Sequence, residues 1–236
     1  GSKARSFAIL LSFFCLLAAS ASAEEAQDAS SPESALFLVN RSHKLPYTYA
    51  SETLVLPETL IAKGKEEYVY LRPEAAKALE ALFDAALAQG HALYAVSGYR
   101  SYALQKSIFQ RKVNEVGERR AMRTVAPPGA SEHQLGLAMD INGESTLVKG
   151  LSAAFGESPE GRWVTKNAHR FGFIIRYAKD TTEITGYAWE PWHLRFVGTE
   201  AAKEIHQLGI TFEEYHQLLQ ERNASAWQEP PRRGGD

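Results

Sequence analysis

The chain of 236 residues contains very little cysteine and no long hydrophobic run. Its one cysteine, Cys15, excludes an intramolecular disulfide framework. The apolar stretch at residues 7–19 is shorter than the roughly 20 residues that cross a bilayer. The 26 basic and 28 acidic residues nearly cancel, so we expect no nucleic-acid partner. The sequence also lacks the G-x-S-x-G elbow of serine hydrolases and the glycine-rich phosphate loop.

The N-terminal residues match the three-part pattern of a secretory signal peptide. Lys3 and Arg5 precede the apolar stretch, and residues 21–23 (Ala-Ser-Ala) provide the small residues of a cleavage site. Residues 1–2 are typical of a cloning remnant. Cleavage would remove Cys15, and a chain without thiols suits an oxidising exported compartment. An uncleaved membrane anchor is the alternative. We expect an exported protein, in the periplasm or outside the cell, with no transmembrane segment after cleavage.

The rest of the sequence predicts a single domain with a short segment at each end. Residues 1–23 comprise the cloning remnant and the signal peptide, and residues 24–35 are small and polar, which predicts a linker. No glycine-, proline- or serine-rich break divides residues 36–222, so this range is predicted to be one domain. Residues 223–236 predict a flexible tail.

Hydrophobic periodicity and capping residues predict five helices and four strands. The helices are predicted at 73–88, 101–116, 158–172 and 199–208, and from the capping box at Thr211. The strands are predicted at 91–97, 137–141, 173–177 and 192–197. These strands do not alternate strictly with helices. An α+β domain with a mainly antiparallel sheet flanked by helices is therefore favoured over a doubly wound parallel sheet.

Two of the seven histidines lie near carboxylates in a pattern that suits zinc. His133, Asp140 and His193 together provide two imidazoles and one carboxylate, a three-ligand set that leaves a fourth position for water. Glu190 lies three residues before His193, and Pro191 between them could kink the strand and turn both side chains towards one cavity. A carboxylate beside an activated water could act as a general base.

Each of these residues also has an ordinary structural interpretation. A histidine more often packs in a core or on a surface than binds metal. We adopt that interpretation for the other five histidines: His43, His91, His169, His206 and His216. Asp140 could cap a strand or begin a turn, and Glu190-Pro191 could form a turn. Residue spacing alone therefore leaves the zinc set open.

Four segments of the chain carry a family resemblance. They are LVNRSHKLPYTY (38–49), SGYRSYALQ (97–105), SEHQLGLAMDI (131–141) and EPWHLR (190–195). Together they resemble the zinc D-alanyl-D-alanine carboxypeptidases related to the vancomycin-resistance carboxypeptidase, a group that includes L,D-carboxypeptidases of peptidoglycan. The resemblance covers about residues 36–205. It implies the zinc fold shared with lysostaphin-type enzymes and the hedgehog domain.

The resemblance also implies a role for seven residues. One zinc ion would be held by His133, Asp140 and His193, and the catalytic base would be Glu190. The substrate would be bound by Arg100, Ser131 and Gln105. Because a guanidinium presents a planar fork that matches a carboxylate, Arg100 suits recognition of a free C-terminus.

The function implied by the resemblance is that of a zinc carboxypeptidase, which we expect to be a monomer. It would remove the C-terminal D-alanine from peptidoglycan stem peptides by cutting a D,D or an L,D bond. Residues 127–141 resemble the tetrapeptide-trimming members more than the others. One alternative is an endopeptidase of cross-links, against which Arg100 argues. Another is a non-catalytic, zinc-stabilised binding module of the cell envelope, against which Glu190 argues.

Overall fold

The computed structural model describes residues 29–226, in which a four-stranded sheet is flanked by helices. The strands are β1 Leu93–Ser97, β2 Ala138–Gly143, β3 Phe173–Tyr177 and β4 Glu190–Phe196. The longer helices are α1 Pro73–Leu87, α2 Tyr102–Val116, α5 Pro159–Asn167, α7 Thr199–Leu208 and α8 Phe212–Ala226. The shorter helices are α3 Glu118–Thr124, α4 Ala153–Glu157 and α6 Thr182–Thr185. Short 3₁₀ turns lie at Glu66–Tyr68, Glu132–Leu135, Glu144–Lys149 and Ala168–Phe171.

The strands follow the order β1-β2-β4-β3, and every neighbouring pair is antiparallel. This arrangement confirms the predicted α+β class with an antiparallel sheet. Pairing of β2 with β4 places Asp140 opposite His193, although 53 residues separate them in the chain. The sheet therefore brings the two most informative sequence motifs together.

The sheet has one face in the main apolar core and one face that carries polar groups. Met139 and Leu194 point into the main core because side chains alternate along a strand. Helix α1 covers that core with an apolar stripe at helical spacing. The stripe consists of Ala75, Ala76, Leu79, Leu82, Phe83 and Ala86. A second apolar cluster, in which Ile174 packs against α7 and α8, lies at the edge of the sheet formed by β3.

Most predicted elements agree with the structure to within a few residues. The predicted helix 158–172 is instead two elements, α5 and the 3₁₀ turn Ala168–Phe171, which ends at Gly172 with a φ of 83°. The Ser158 hydroxyl caps α5 by accepting the Gly161 amide at 3.1 Å. Helix α3 is not among the predicted elements because ERRAMRT offers no apolar stripe at helical spacing.

The chain ends of the described region lie against the domain. Residues 29–35, the second half of the predicted linker, form turns in which the Ser34 amide donates to the Ser31 carbonyl at 2.9 Å. Helix α8 continues to Ala226, into the predicted tail. The predicted signal peptide lies outside the described residues, and the domain boundaries stay predictions. Among the residues described, no helix is both long enough and apolar enough to cross a bilayer.

Candidate metal centre and active site

All seven residues singled out from the sequence line one pocket of about 210 Å³. They are Arg100, Gln105, Ser131, His133, Asp140, Glu190 and His193. The structure thus brings together side chains from β2, β4, α2, the segment after β1 and the 3₁₀ turn at 132–135. Their roles stay predictions, but their convergence is a property of the fold.

The pairing of β2 with β4 explains how Asp140 and His193 meet. The Phe196 amide donates to the Leu137 carbonyl at 2.8 Å, which marks a hydrogen-bonded pair of the ladder. Three positions along, Asp140 and His193 form a non-hydrogen-bonded pair, where cross-strand side chains approach most closely. Asp140 lies inside β2, which continues to Gly143, two residues beyond the predicted end of this strand. A strand holds both side chains rigidly at this position.

An irregularity in β4 turns Glu190 towards the same pocket. In a regular strand Glu190 and His193, three residues apart, would point to opposite faces. The register with β3 instead shifts between the pairs Ile175–Leu194 and Tyr177–Glu190, so β4 contains extra residues here. Glu190 Oε2 consequently lies 3.9 Å from His193 Nδ1. The sequence expectation that a kink at Pro191 would unite the two side chains matches this geometry.

The three candidate ligands present their donor atoms to one point. Their ligand atoms all lie within 4.8 Å of one another. His133 Nε2 is 3.4 Å from Asp140 Oδ2, and His193 Nδ1 is 3.2 Å from Asp140 Oδ1. The second ring nitrogen of each histidine forms a hydrogen bond outside the ligand set. His133 Nδ1 donates to the Gly98 carbonyl at 2.7 Å, and His193 Nε2 donates to Glu132 Oε2 at 3.1 Å.

The free donor atoms fit a divalent metal ion. Because a carbonyl oxygen can only accept, His133 must carry its proton on Nδ1, which leaves a lone pair on Nε2. Within residues 29–226, neither His133 Nε2 nor Asp140 Oδ1 has a hydrogen-bond partner, and both atoms are buried. Unpaired polar atoms in a protein interior are costly unless another group satisfies them. Two imidazole nitrogens and one carboxylate oxygen suit zinc.

The surroundings of the three candidate ligands shift their pKa values in different directions. Burial alone would raise the pKa of Asp140, but His133 and His193 hold it well below its usual range. Burial, helped by the nearby Arg100 guanidinium, lowers the pKa of His133 to about 4, so that ring is neutral. Burial would also lower the pKa of His193, but the adjacent carboxylates of Asp140 and Glu132 raise it to about 9, so His193 Nδ1 must release a proton when a metal ion binds.

The pKa of Glu190 differs from that of Asp140, because fewer positive charges oppose the effect of burial on Glu190. Loss of solvent raises the pKa of Glu190 to about 7, and Asp140 adds to the rise while His193 and Arg100 oppose it. Its side chain is 15% exposed, so it faces the pocket. A carboxyl group with a pKa near neutrality can both take up and release a proton at physiological pH. This is the property required of a general base that later acts as an acid.

The residues predicted to bind substrate line the same pocket as the candidate ligands. The Arg100 amide donates to the His133 carbonyl at 3.1 Å, and its guanidinium NH2 lies 4.0 Å from Asp140 Oδ2. Gln105 Nε2 donates to the Ala126 carbonyl at 2.7 Å. Within the described chain, Gln105 Oε1 is buried without a partner and is thus an acceptor available to a ligand. This part of the pocket therefore combines the cation of Arg100 with the hydrogen-bonding amide of Gln105.

Tyr177, Tyr187 and Glu132 are among the pocket residues that received no role from the sequence. Tyr177 and Tyr187 line the pocket, and the Tyr177 ring centroid lies 5.0 Å from that of His193. Glu132 hydrogen-bonds His193 from behind. Sequence proximity links Glu132 to His133, its neighbour, and nothing in the spacing indicates contact with a residue 61 positions away.

Comparison with protein families and curated sequences places these observations in context. The family model described as VanY, D-alanyl-D-alanine carboxypeptidase, matches residues 68–199, which include all seven pocket residues. The putative carboxypeptidase YodJ of Bacillus subtilis (strain 168) is 49% identical over 189 residues. That alignment covers 80% of this chain and 69% of YodJ.

Solved structures give a consistent comparison. The LdcB LD-carboxypeptidase, whose structure addresses peptidoglycan recognition, is 50% identical with a TM-score of 0.74, over 79% of this chain and 87% of that chain. A mutant of the D,D-pentapeptidase VanY from a VanB-type resistance cassette, solved with Zn(II), is 40% identical with a TM-score of 0.63. That match covers 77% of this chain and 98% of the VanY chain.

Proposed function

The chain belongs to the VanY family of D-alanyl-D-alanine carboxypeptidases, and on this premise we propose that it is a zinc-dependent L,D-carboxypeptidase. It removes the C-terminal D-alanine from tetrapeptide stems of peptidoglycan as an exported, monomeric enzyme with one zinc ion. The observation that carries the proposal is the convergence of His133, Asp140 and His193 within 4.8 Å, in a pocket that also contains Glu190 and Arg100.

His133 Nε2, one carboxylate oxygen of Asp140 and His193 Nδ1 would hold the zinc ion. When bound, zinc supplies Lewis-acid activation of a water molecule and of the scissile carbonyl. The protein contributes a rigid ligand set, because two ligands lie on paired strands and the His133 ring is fixed by its hydrogen bond to the Gly98 carbonyl. Preorganised ligands of this kind need little rearrangement during turnover.

Glu190 moves the proton in this scheme. Its carboxylate takes a proton from the attacking water and returns it to the nitrogen of the departing D-alanine. The nearly neutral pKa of Glu190 makes both transfers feasible at one pH. Burial of the surrounding groups keeps the charge on Glu190 from being screened by bulk solvent.

Arg100 provides the exopeptidase character. Its guanidinium would bind the free carboxylate of the terminal residue, and Ser131 and Gln105 would hold the adjoining polar groups. A fixed cation in the pocket favours a substrate with a free terminal carboxylate, whereas an endopeptidase needs an open groove. The L,D preference is supported by the identity to the LD-carboxypeptidase LdcB, 50%, against 40% to the VanY structure.

Mass spectrometry of stem peptides tests the proposal. The purified, zinc-loaded chain is incubated with a tetrapeptide stem, a pentapeptide stem and a tetrapeptide whose C-terminus is amidated. We expect loss of one alanine from the free tetrapeptide and much slower loss from the amide. Loss from the pentapeptide alone would show a D,D-carboxypeptidase. A zinc-bound protein that trims neither would overturn the proposal in favour of a binding module or an endopeptidase of cross-links.

Two variants separate metal binding from proton transfer. Glu190→Ala is expected to retain zinc, measured by elemental analysis, while its kcat falls by about 10²–10⁴-fold because the general base is lost. His133→Ala is expected to lose both zinc and turnover because one of three ligands is missing. Retention of zinc by His133→Ala would contradict the ligand assignment. Wild-type turnover by Glu190→Ala would contradict its role as base.

A further inference from the structure

A buried carboxylate that no step of the proposed reaction uses lies directly behind His193. The Glu132 side chain is fully buried, with 0% exposure. Its Oε2 accepts the proton of His193 Nε2 at 3.1 Å, on the opposite side of the ring from the candidate metal position. A carboxylate without solvent is stable only when neighbouring donors compensate its charge.

Two arginines supply that compensation. Glu132 Oε1 accepts from Arg176 Nε at 2.7 Å and from Arg195 NH1 at 2.9 Å, and both guanidinium groups are themselves 0% exposed. The two oxygens of the Glu132 carboxylate thus have different partners. One oxygen is held by two cations, and the other remains directed at His193.

The arginines are in turn anchored to distant parts of the chain. Arg176 donates to both oxygens of Glu213 on α8, at 2.8 and 2.6 Å. Arg195 NH2 donates to the carbonyls of Ala35 and Phe37, at 2.9 and 2.8 Å. The terminal helix and the N-terminal segment therefore restrain Glu132, which cannot rotate without breaking several charged hydrogen bonds.

The two histidines of the site are consequently oriented by unlike acceptors. His133 donates to a neutral peptide carbonyl, that of Gly98, whereas His193 donates to an anion. A carboxylate that accepts the outer N–H of an imidazole fixes its tautomer and raises the basicity of its inner nitrogen. The His193 lone pair on Nδ1 is therefore both aimed at the metal position and strengthened as a donor.

We propose that Glu132 is a positioning residue for zinc, which holds the His193 imidazole in its ligating orientation, while Arg176 and Arg195 hold Glu132. The proposal rests on the proposed function, in that His193 must be a zinc ligand. Glu132 reaches the site through His193 Nε2, the ring nitrogen that faces away from the candidate metal position. Loss of the hydrogen bond between Glu132 and His193 should therefore lower zinc affinity more than it lowers the stability of the fold.

Zinc affinity and a cobalt spectrum test this role. Glu132→Asp shortens the side chain by one methylene but keeps the anion for the arginines, and Glu132→Gln removes the charge. The control is Glu160→Gln, which removes another buried carboxylate that is hydrogen-bonded to Ser145 and belongs to neither the Glu132 network nor the pocket. The dissociation constant for zinc is measured by competition with a chelator. The visible absorption of the cobalt(II)-substituted protein reports the ligand geometry.

We expect zinc to bind about 10–100-fold more weakly to both Glu132 variants, with an altered cobalt spectrum. Glu160→Gln should keep the wild-type affinity and spectrum. If Glu132→Gln does not fold, the zinc affinity and cobalt spectrum of Glu132→Asp test the proposal alone. Wild-type zinc affinity and spectrum in Glu132→Asp would overturn the positioning role, as would an equal loss in Glu160→Gln. Absence of zinc binding by the wild-type protein would instead overturn the proposed function itself.

Discussion

Three buried carboxylates around the site show how neighbours change one chemical group. Arg176 and Arg195 hold the pKa of Glu132 well below its usual range against the effect of burial, and the two histidines do the same for Asp140. Glu190 lacks such close cations, so burial raises its pKa to about 7. The same side-chain type is therefore suited to anchor a ring, bind a cation or transfer a proton.

A fourth carboxylate, Glu160, makes a testable contribution to stability. It accepts the Ser145 amide at 3.0 Å and the Ser145 hydroxyl at 2.7 Å. Burial alone would raise its pKa, but these hydrogen bonds lower the pKa below its usual value. The stabilisation is therefore complete above the unfolded-state pKa, near about 4.3, and is lost as the pH falls through the folded-state pKa.

We expect Glu160→Gln to lower the free energy of unfolding by about 1 kcal/mol at pH 7. The difference from wild type should shrink as the pH falls below the unfolded-state pKa, because the wild-type carboxyl then also becomes protonated. Urea unfolding at several pH values measures both effects. Glu157→Gln, at an exposed residue, serves as the control and should change little. A difference that does not vary with pH would contradict this explanation.

Among the elements, the 3₁₀ turn Glu132–Leu135 contributes most to the site. It carries His133 and Glu132, and it ends at Gly136 with a φ of 72°. The Gly136 carbonyl accepts the Arg72 amide at 2.9 Å, so the turn lies against the start of α1. Gly98 allows an equally close approach, because a Cβ there would clash with the Tyr70 carbonyl oxygen.

Two glycines that end elements in the same conformation form a matched test. Gly136 and Gly209 both have left-handed φ values, 72° and 64°. A Cβ at Gly136 would lie 2.9 Å from Leu54 Cδ2, whereas at Gly209 nothing lies within 4 Å. Both Ala variants lose about 1–2 kcal/mol of unfolding free energy through backbone strain.

We expect Gly136→Ala to lose about 1–3 kcal/mol more than Gly209→Ala because it also overpacks the contact with Leu54. Thermal and urea unfolding of the two variants measure the difference. Equal losses would mean that backbone strain alone matters at both sites. A further readout is zinc content, which should fall only in Gly136→Ala, because this glycine ends the turn that carries His133.

At the scale of the whole molecule, both ends of the described chain pack against the domain and form hydrogen bonds with its buried residues. Leu36 and Leu38 join the second apolar cluster with Phe212 and Leu219 of α8. Arg72 donates to the Pro32 carbonyl at 3.3 Å, and Arg195 depends on the carbonyls of the segment 35–37. Residues before the predicted domain start are thus part of its packing.

Truncation tests this dependence. A chain that begins at Leu38 should unfold at a lower urea concentration than one that begins at Glu24. We expect a loss of at least about 3 kcal/mol, because Arg195 loses two buried acceptors and the second cluster loses Leu36. Equal midpoints for the two chains would show that residues 24–37 do not stabilise the domain.

Local sequence patterns by themselves determined much of this protein. Alternation and helical spacing predicted β1–β4 and the long helices, because these periods depend only on which face of an element is buried. The motifs around His133, Asp140 and His193 predicted a family that the matches confirm, and they predicted the zinc set within it. These motifs contain the imidazoles and carboxylates that a zinc site and a general base require.

Only the tertiary structure decided how these groups face one another. The irregular register of β4 against β3 turned Glu190 into the pocket, and the pairing of β2 with β4 set Asp140 against His193. The contact of Glu132 with His193, and the arginines behind it, arises from the same long-range packing. Strand pairing is selected by burial of whole faces across the molecule, and a local pattern of residues does not specify its partner.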